Sequence, residues 1–148
     1  MNKKTIKDID VKGKKVFVRV DYNVPFDDKM NITNDTRMVR TLPTLNYLLD
    51  GGAALILACH IGRPTEAKEE KFSTKHLVGH LSELLKKDVK WASDCVGPEA
   101  EKAAVDLKPG EVLLLENLRY HKEEKKNDPV FAKQLASLAD VAVDDAFG

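Results

Sequence analysis

Cysteine is scarce, with only Cys59 and Cys95 in 148 residues. That excludes a disulfide framework. Neither C-x-x-C nor a paired Cys/His spacing occurs, so a zinc-ribbon reading has no support and a reduced, cytoplasmic chain is expected. Net charge is also missing. Lys plus Arg and Asp plus Glu are both 24, so nothing global draws the chain to nucleic acid or anionic lipid. Long apolar runs are absent. The stretch Ala53–Cys59 is too short to span a bilayer. The basic start, MNKKTIKDIDVKGKK, has no apolar segment behind it and is not a secretory signal. Eight glycines and six prolines are too few for a fibrous chain, and 43% hydrophobic residues are too many for a disordered one. One globular domain with its own core remains.

What is present is an alternation of strand and helix patterns. Lys15–Val20, Ala54–Cys59, Val112–Leu115 and Val141–Val143 read as strands, with Val89–Trp91 a weaker fifth. Runs that are apolar at every position suit strands covered on both faces, as in parallel sheets. Leu77, Val78, Leu81, Leu84 and Leu85 make one helical face behind a Ser73 cap. Asp128-Pro129 opens a second helix, with Phe131, Leu135 and Leu138 on one side. Gly97-Pro98 opens a third, with Ala100, Ala104 and Leu107. Met38, Leu42, Leu45 and Leu49 mark a fourth, in which Pro43 is expected to force a kink or a restart. The charged stretch His121–Asp128 reads as a solvated loop. The order β-α-β-α-β-α-β-α-β predicts an α/β domain of three αβα layers around a five-stranded parallel sheet, Rossmann-like in architecture.

Ligands of open parallel sheets bind beyond the carboxyl ends of the strands. The residues that follow the strands are Asp21-Tyr22-Asn23, His60-Ile61-Gly62-Arg63, Glu116-Asn117-Leu118-Arg119 and Asp144-Asp145. Only five of the 24 basic residues are arginine: Arg19, Arg37, Arg40, Arg63 and Arg119. Arg63 and Arg119 follow strands directly, and Arg37 opens a helix behind another such segment. Lysine supplies the surface charge here, and the guanidinium fork binds phosphate or carboxylate bidentately where lysine cannot. Two readings stand: the arginines converge on a small anion, or each pairs with a nearby carboxylate. Cys59-His60, or His76 with His80 one helical turn apart, would supply metal ligands only if a further ligand lay close by. Cys59, ending an apolar strand, suits a small core residue. No G-x-G-x-x-G follows the first strand, and neither a P-loop nor a G-x-S-x-G motif occurs.

Several segments together resemble the phosphoglycerate kinase family. They are FVRVDYNVP (Phe17–Pro25), DTR (Asp35–Arg37), HIGRP (His60–Pro64), GPEAE (Gly97–Glu101), GEVLLLENLRYH (Gly110–His121), EEKKNDPVFAKQLASLADV (Glu123–Val141) and DDAFG (Asp144–Gly148). The resemblance runs in register over essentially all 148 residues. It covers the family's N-terminal, phosphoglycerate-binding domain. It implies a sixth strand and a C-terminal nucleotide domain that this chain does not contain. Two departures are Cys59-His60-Ile61 in place of Ser-His-Leu, and Asp144 in place of Asn. Without the sixth strand, the segment near Val141 is expected to form an unpaired edge.

The resemblance implies a site and a reaction. Asp21 and Asn23 would hold the glycerate hydroxyl and neighbouring oxygens, with Tyr22 in the same turn counted among the substrate-binding residues. His60, Arg63 and Arg119 would cradle the non-transferring phosphate, and Ile61 and Gly62 would add backbone contacts. Arg37 would stabilise charge on the phosphoryl group in flight and is the catalytic candidate. The implied substrates are 3-phosphoglycerate and 1,3-bisphosphoglycerate. Magnesium with ATP or ADP would belong to the C-terminal domain, with no cofactor in this chain. The implied enzyme is a cytoplasmic monomer, with no nucleic-acid or membrane partner, and this chain alone is expected not to turn over. A reading from another class is a non-enzymatic α/β ligand-binding or receiver-like module with Asp144-Asp145 as an acidic pocket.

Overall fold

The structure is a computed structural model, described here for residues 10–29, 31–61, 73–120 and 129–145. Five strands form one parallel sheet: β1 (Lys15–Val20), β2 (Ala54–Ala58), β3 (Val89–Trp91), β4 (Val112–Leu114) and β5 (Val141–Asp145), in the order β3-β4-β2-β1-β5. The helices are α1 (Thr36–Asp50), α2 (Lys75–Leu85), α3 (Pro98–Val105) and α4 (Pro129–Ala136), with a 3-10 turn at Leu118–Tyr120. The predicted element order and the α/β fold are both found. The loop reading of His121–Asp128 lies outside the described residues.

Successive side chains of a strand point to opposite faces, and each face of this sheet has its own core. Val16, Val18 and Val20 of β1, Leu55 and Leu57 of β2, and Val112 and Leu114 of β4 pack with Met38, Leu45 and Leu48 of α1 and Leu77 and Leu81 of α2. Phe17, Ile56, Leu113 and Leu115 pack on the other side with Ala100 and Ala104 of α3 and Leu135 and Leu138 of α4. All five residues of β2 are buried, as a strand sandwiched between two helical layers requires.

The layers follow from handedness. Right-handed crossovers moving from β1 to β2 and from β2 to β3 lay α1 and α2 on one face. The chain then reverses, from β3 to β4 and from β4 to β5, and α3 and α4 fall on the other. The connections therefore leave β2 and its neighbour β4 toward opposite faces, which makes their carboxyl ends the topological switch point of the sheet. At the opposite rim, Gly52, with φ of +91°, turns the end of α1 into β2 and accepts a hydrogen bond from the Gly13 amide at 3.0 Å. That left-handed conformation strains any side chain.

Two local expectations are corrected. Of the kink or restart expected at Pro43, the restart is not found: α1 runs unbroken over 15 residues. Its buried face (Met38, Thr41, Leu45 and Leu48) holds the helix together despite the missing donor. Ser73 is not the formal cap of α2, because Thr74 holds that position. The Ser73 hydroxyl still accepts the Lys75 amide at 3.2 Å. Among the described residues, β5 pairs with β1 alone and leaves an open edge.

Candidate functional site

The turn after β1 sorts its residues by strand alternation. Asp21 and Asn23 are half-buried at the rim, while Tyr22 and Val24 point inward. The Tyr22 side chain is fully buried, and its phenol lies 2.6 Å from Thr41 Oγ1, whose own hydroxyl donates to the Met38 carbonyl at 2.7 Å. Thus the Tyr22 side chain belongs to the core and ties the turn to α1. Tyr22→Phe should lower stability by about 1 kcal/mol in urea unfolding. Affinity for any rim ligand should be unchanged in the same variant.

Arg37 enters the rim from the first turn of α1. Its Nη1 donates to the Asn23 carbonyl at 2.7 Å and lies 3.5 Å from Asp21 Oδ1. The Asn23 amide in turn points at Asp21 Oδ1 across 3.4 Å. Asp21, Asn23 and Arg37 therefore form one connected group at the end of β1. The Asp21 contact is long and half-exposed, so it contributes little by itself. Both Arg37 contacts use Nη1; among the described residues no hydrogen bond engages Nη2 or Nε. That leaves an edge of the fork available to an incoming oxyanion.

His60 is half-buried at the end of β2, next to β1 in the sheet. The Ile61 side chain is buried, and its carbonyl accepts Asn117 Nδ2 at 2.9 Å, so that oxygen is engaged inside the protein. Gly62 and Arg63 lie outside the described residues. The structure places Arg119 within the 3-10 turn that leaves β4, on the same rim. Asp144 and Asp145 end β5 at the far side, in register with Arg19 and Val20.

The other candidates resolve into local roles. Cys59 is buried, and burial, with Glu116 and Asp21 adding like charge, pushes its thiol far up. The thiolate is therefore suppressed at neutral pH, and Cys59 has no nucleophilic part to play. His80 Nε2 lies 2.8 Å from Asp35 Oδ2, linking α2 to the start of α1, and His76 meets Phe26 edge-on at 6.3 Å between ring centroids. Among the described residues no three His, Cys, Asp or Glu side chains gather as a metal set, and no helix is long and apolar enough to cross a membrane.

Sequence reasoning did not single out Glu116 and Asn117, which it placed among the polar residues of the rim. Both are buried, at 6% and 0% exposure. The signal was there in outline: two polar residues directly after an apolar strand, followed by another leucine.

The phosphoglycerate kinase family model matches residues 6–148. The chain is 53% identical over its whole length to a phosphoglycerate kinase of Desulforudis audaxviator and covers 38% of that protein. It is 58% identical to a cytosolic phosphoglycerate kinase of Triticum aestivum over 97% of the chain and 36% of that protein. Among solved structures, phosphoglycerate kinase from Pyrococcus horikoshii superposes with a TM-score of 0.85 at 35% identity, over 96% of this chain and 36% of that one. The enzyme from Coxiella burnetii gives the same score at 37% identity. The chain spans about a third of the length of the curated relatives it matches. Sequence, fold and the order of its motifs agree: this chain belongs to the phosphoglycerate kinase family.

Proposed function

We propose that the chain is the phosphoglycerate-binding, N-terminal domain of a phosphoglycerate kinase. The observation that carries this is the Asp21–Asn23–Arg37 group, which leaves guanidinium donors available on the rim that also bears His60 and Arg119. In this reading the Asp21 and Asn23 side chains hold the glycerate oxygens. His60, Arg63 and Arg119 bind the phosphate that stays, and Arg37 faces the phosphoryl group that moves between 1,3-bisphosphoglycerate and ADP. Magnesium and the nucleotide belong to a further domain, so the chain by itself binds and does not turn over. The enzyme works as a monomer in the cytosol.

The chemistry favours such a site. The acceptor in the ATP-consuming direction is a carboxylate with an unperturbed pKa of about 4, already ionised at pH 7. No general base is needed to activate it. Catalysis reduces to positioning and charge stabilisation, the work of arginines rather than of a nucleophile and base.

Calorimetric titration with 3-phosphoglycerate tests the reading. The expected result is saturable binding that sulfate competes away and that Arg63→Ala weakens. Absence of binding, together with labelling of an aspartate by acetyl phosphate, would replace it with the receiver-like module.

A further inference from the structure

Glu116 is a buried carboxylate held by neutral donors. Its Oε1 accepts the amides of Thr74 and Asn117, each at 2.8 Å, with the Thr74 hydroxyl at 3.3 Å, and its Oε2 accepts the Ser73 hydroxyl at 2.7 Å. Among the described residues no Lys, Arg or His pairs with it. Burying an anion without a counter-charge is costly, and several donors aimed at one carboxylate offset that cost only while their geometry holds.

The bonds converge from separate elements. Thr74 Oγ1 donates to the Leu115 carbonyl at 2.8 Å and accepts the Trp91 indole N–H at 3.0 Å, which brings in β3. Asn117 Nδ2 reaches the Ile61 carbonyl at 2.9 Å, and the Leu118 amide donates to the Cys59 carbonyl at 3.0 Å. Two consecutive residues thus fasten the carboxyl end of β2, beside His60, and the amino end of α2 to the carboxyl end of β4. These are the two strands whose connections part to opposite faces.

We infer that Glu116 and Asn117 are positioning residues for phosphoglycerate. They touch no ligand, but fix where His60, between Cys59 and Ile61, stands relative to the turn that bears Arg119. This rests on the function proposed above. In catalysis a misplacement of about 1 Å can cost on the order of 100-fold in rate, and a displaced oxyanion cradle loses hydrogen bonds to its ligand in the same way. An amide in its place turns one acceptor oxygen into a donor: with its nitrogen toward Thr74, the Thr74 and Asn117 amides lose their acceptor, and with its nitrogen toward Ser73, that hydroxyl has to turn round and accept.

The test is calorimetry of the 148-residue chain with 3-phosphoglycerate, comparing wild type, Glu116→Gln, Ser73→Ala and Leu135→Ala. Leu135 lies in the opposite core and serves as a destabilised control. Trp91, the sole tryptophan, reports the state of the Thr74 contact by its emission. The expected result is a loss of about tenfold or more in affinity for Glu116→Gln, a smaller loss for Ser73→Ala and none for Leu135→Ala, with shifted Trp91 emission in the first two. Affinity within twofold of wild type in Glu116→Gln overturns the inference and leaves the function standing. Equal losses in Leu135→Ala and Glu116→Gln overturn it as well, because general destabilisation then explains both. If Glu116→Gln does not fold, Ser73→Ala is judged by the same comparison. Wild type that fails to bind overturns the proposed function and this inference with it.

Discussion

Leu57→Ala should destabilise the chain by about 3–5 kcal/mol in urea unfolding, the upper part of the range for buried leucine truncations. Leu57 has no exposed surface and stands in the middle of the central strand. It lies in register with Val18 on one side and Leu114 on the other, beneath α1 and α2. Two neighbouring strands and a helical layer hold that pocket open, so the cavity cannot collapse far. Domains of this size have only about 5–15 kcal/mol in total, so the substitution removes a large share. The midpoint temperature should fall by roughly 10 °C. Val130, 67% exposed on α4, is the contrast: Val130→Ala should change stability by less than about 0.5 kcal/mol. Similar effects from both substitutions would mean that the sheet does not carry the core described.

The core was legible because the chain states it in periodicity. ALILA is apolar throughout and proved buried on both sides; Ala100, Ala104 and Leu107 repeat at helical spacing and proved to be one face. Where local rules failed, tertiary contacts outweighed them. Pro43 is a helix breaker by its own chemistry, yet burial of α1 on the sheet keeps the helix whole. The expected face of α1 is found, with Met38 and Leu45 buried and Leu42 and Leu49 packed against the core at its edge. What it missed is Thr41, which meets the Tyr22 phenol in a contact between residues 19 apart that no local pattern contains.

The site was legible in part, for the same reason. The rim follows from the parallel sheet, so Asp21, Asn23, Arg37 and His60 fall where strand ends predict. Which member of the turn faces inward depends on the strand register, and that assigned Tyr22 to the core. The Glu116 clamp joins residues 42 and 43 positions apart in sequence, through bonds that only the assembled fold brings together. A motif such as ENLR marks the place without disclosing that its first two residues turn inward.

Arg37→Ala should weaken 3-phosphoglycerate binding by roughly 10- to 100-fold, the equivalent of losing one charge-assisted contact worth about 1.5–3 kcal/mol. The size of the loss follows from two effects of the same sign. The ligand loses a guanidinium whose Nη2 edge no described residue engages, and Asp21, left without the cation 3.5 Å away, becomes a bare negative charge facing an anion. The second effect is separable. Asp21→Asn in the Arg37→Ala background should recover part of the affinity, whereas Asp21→Asn alone should weaken binding by exchanging one of two carboxylate acceptors for a donor and by removing the charge that faces Arg37. The sign change is the signature of coupling, and a double-mutant cycle by calorimetry measures it. Strict additivity would place the two residues in separate roles and leave Arg37 as a structural partner of the Asn23 carbonyl. Wild-type affinity should also fall as ionic strength rises, with a shallower slope in Arg37→Ala, because the half-exposed charge is screened by salt and its removal takes that screening away. Parallel slopes would mean that the ligand's charge is met elsewhere on the rim, at His60, Arg63 or Arg119.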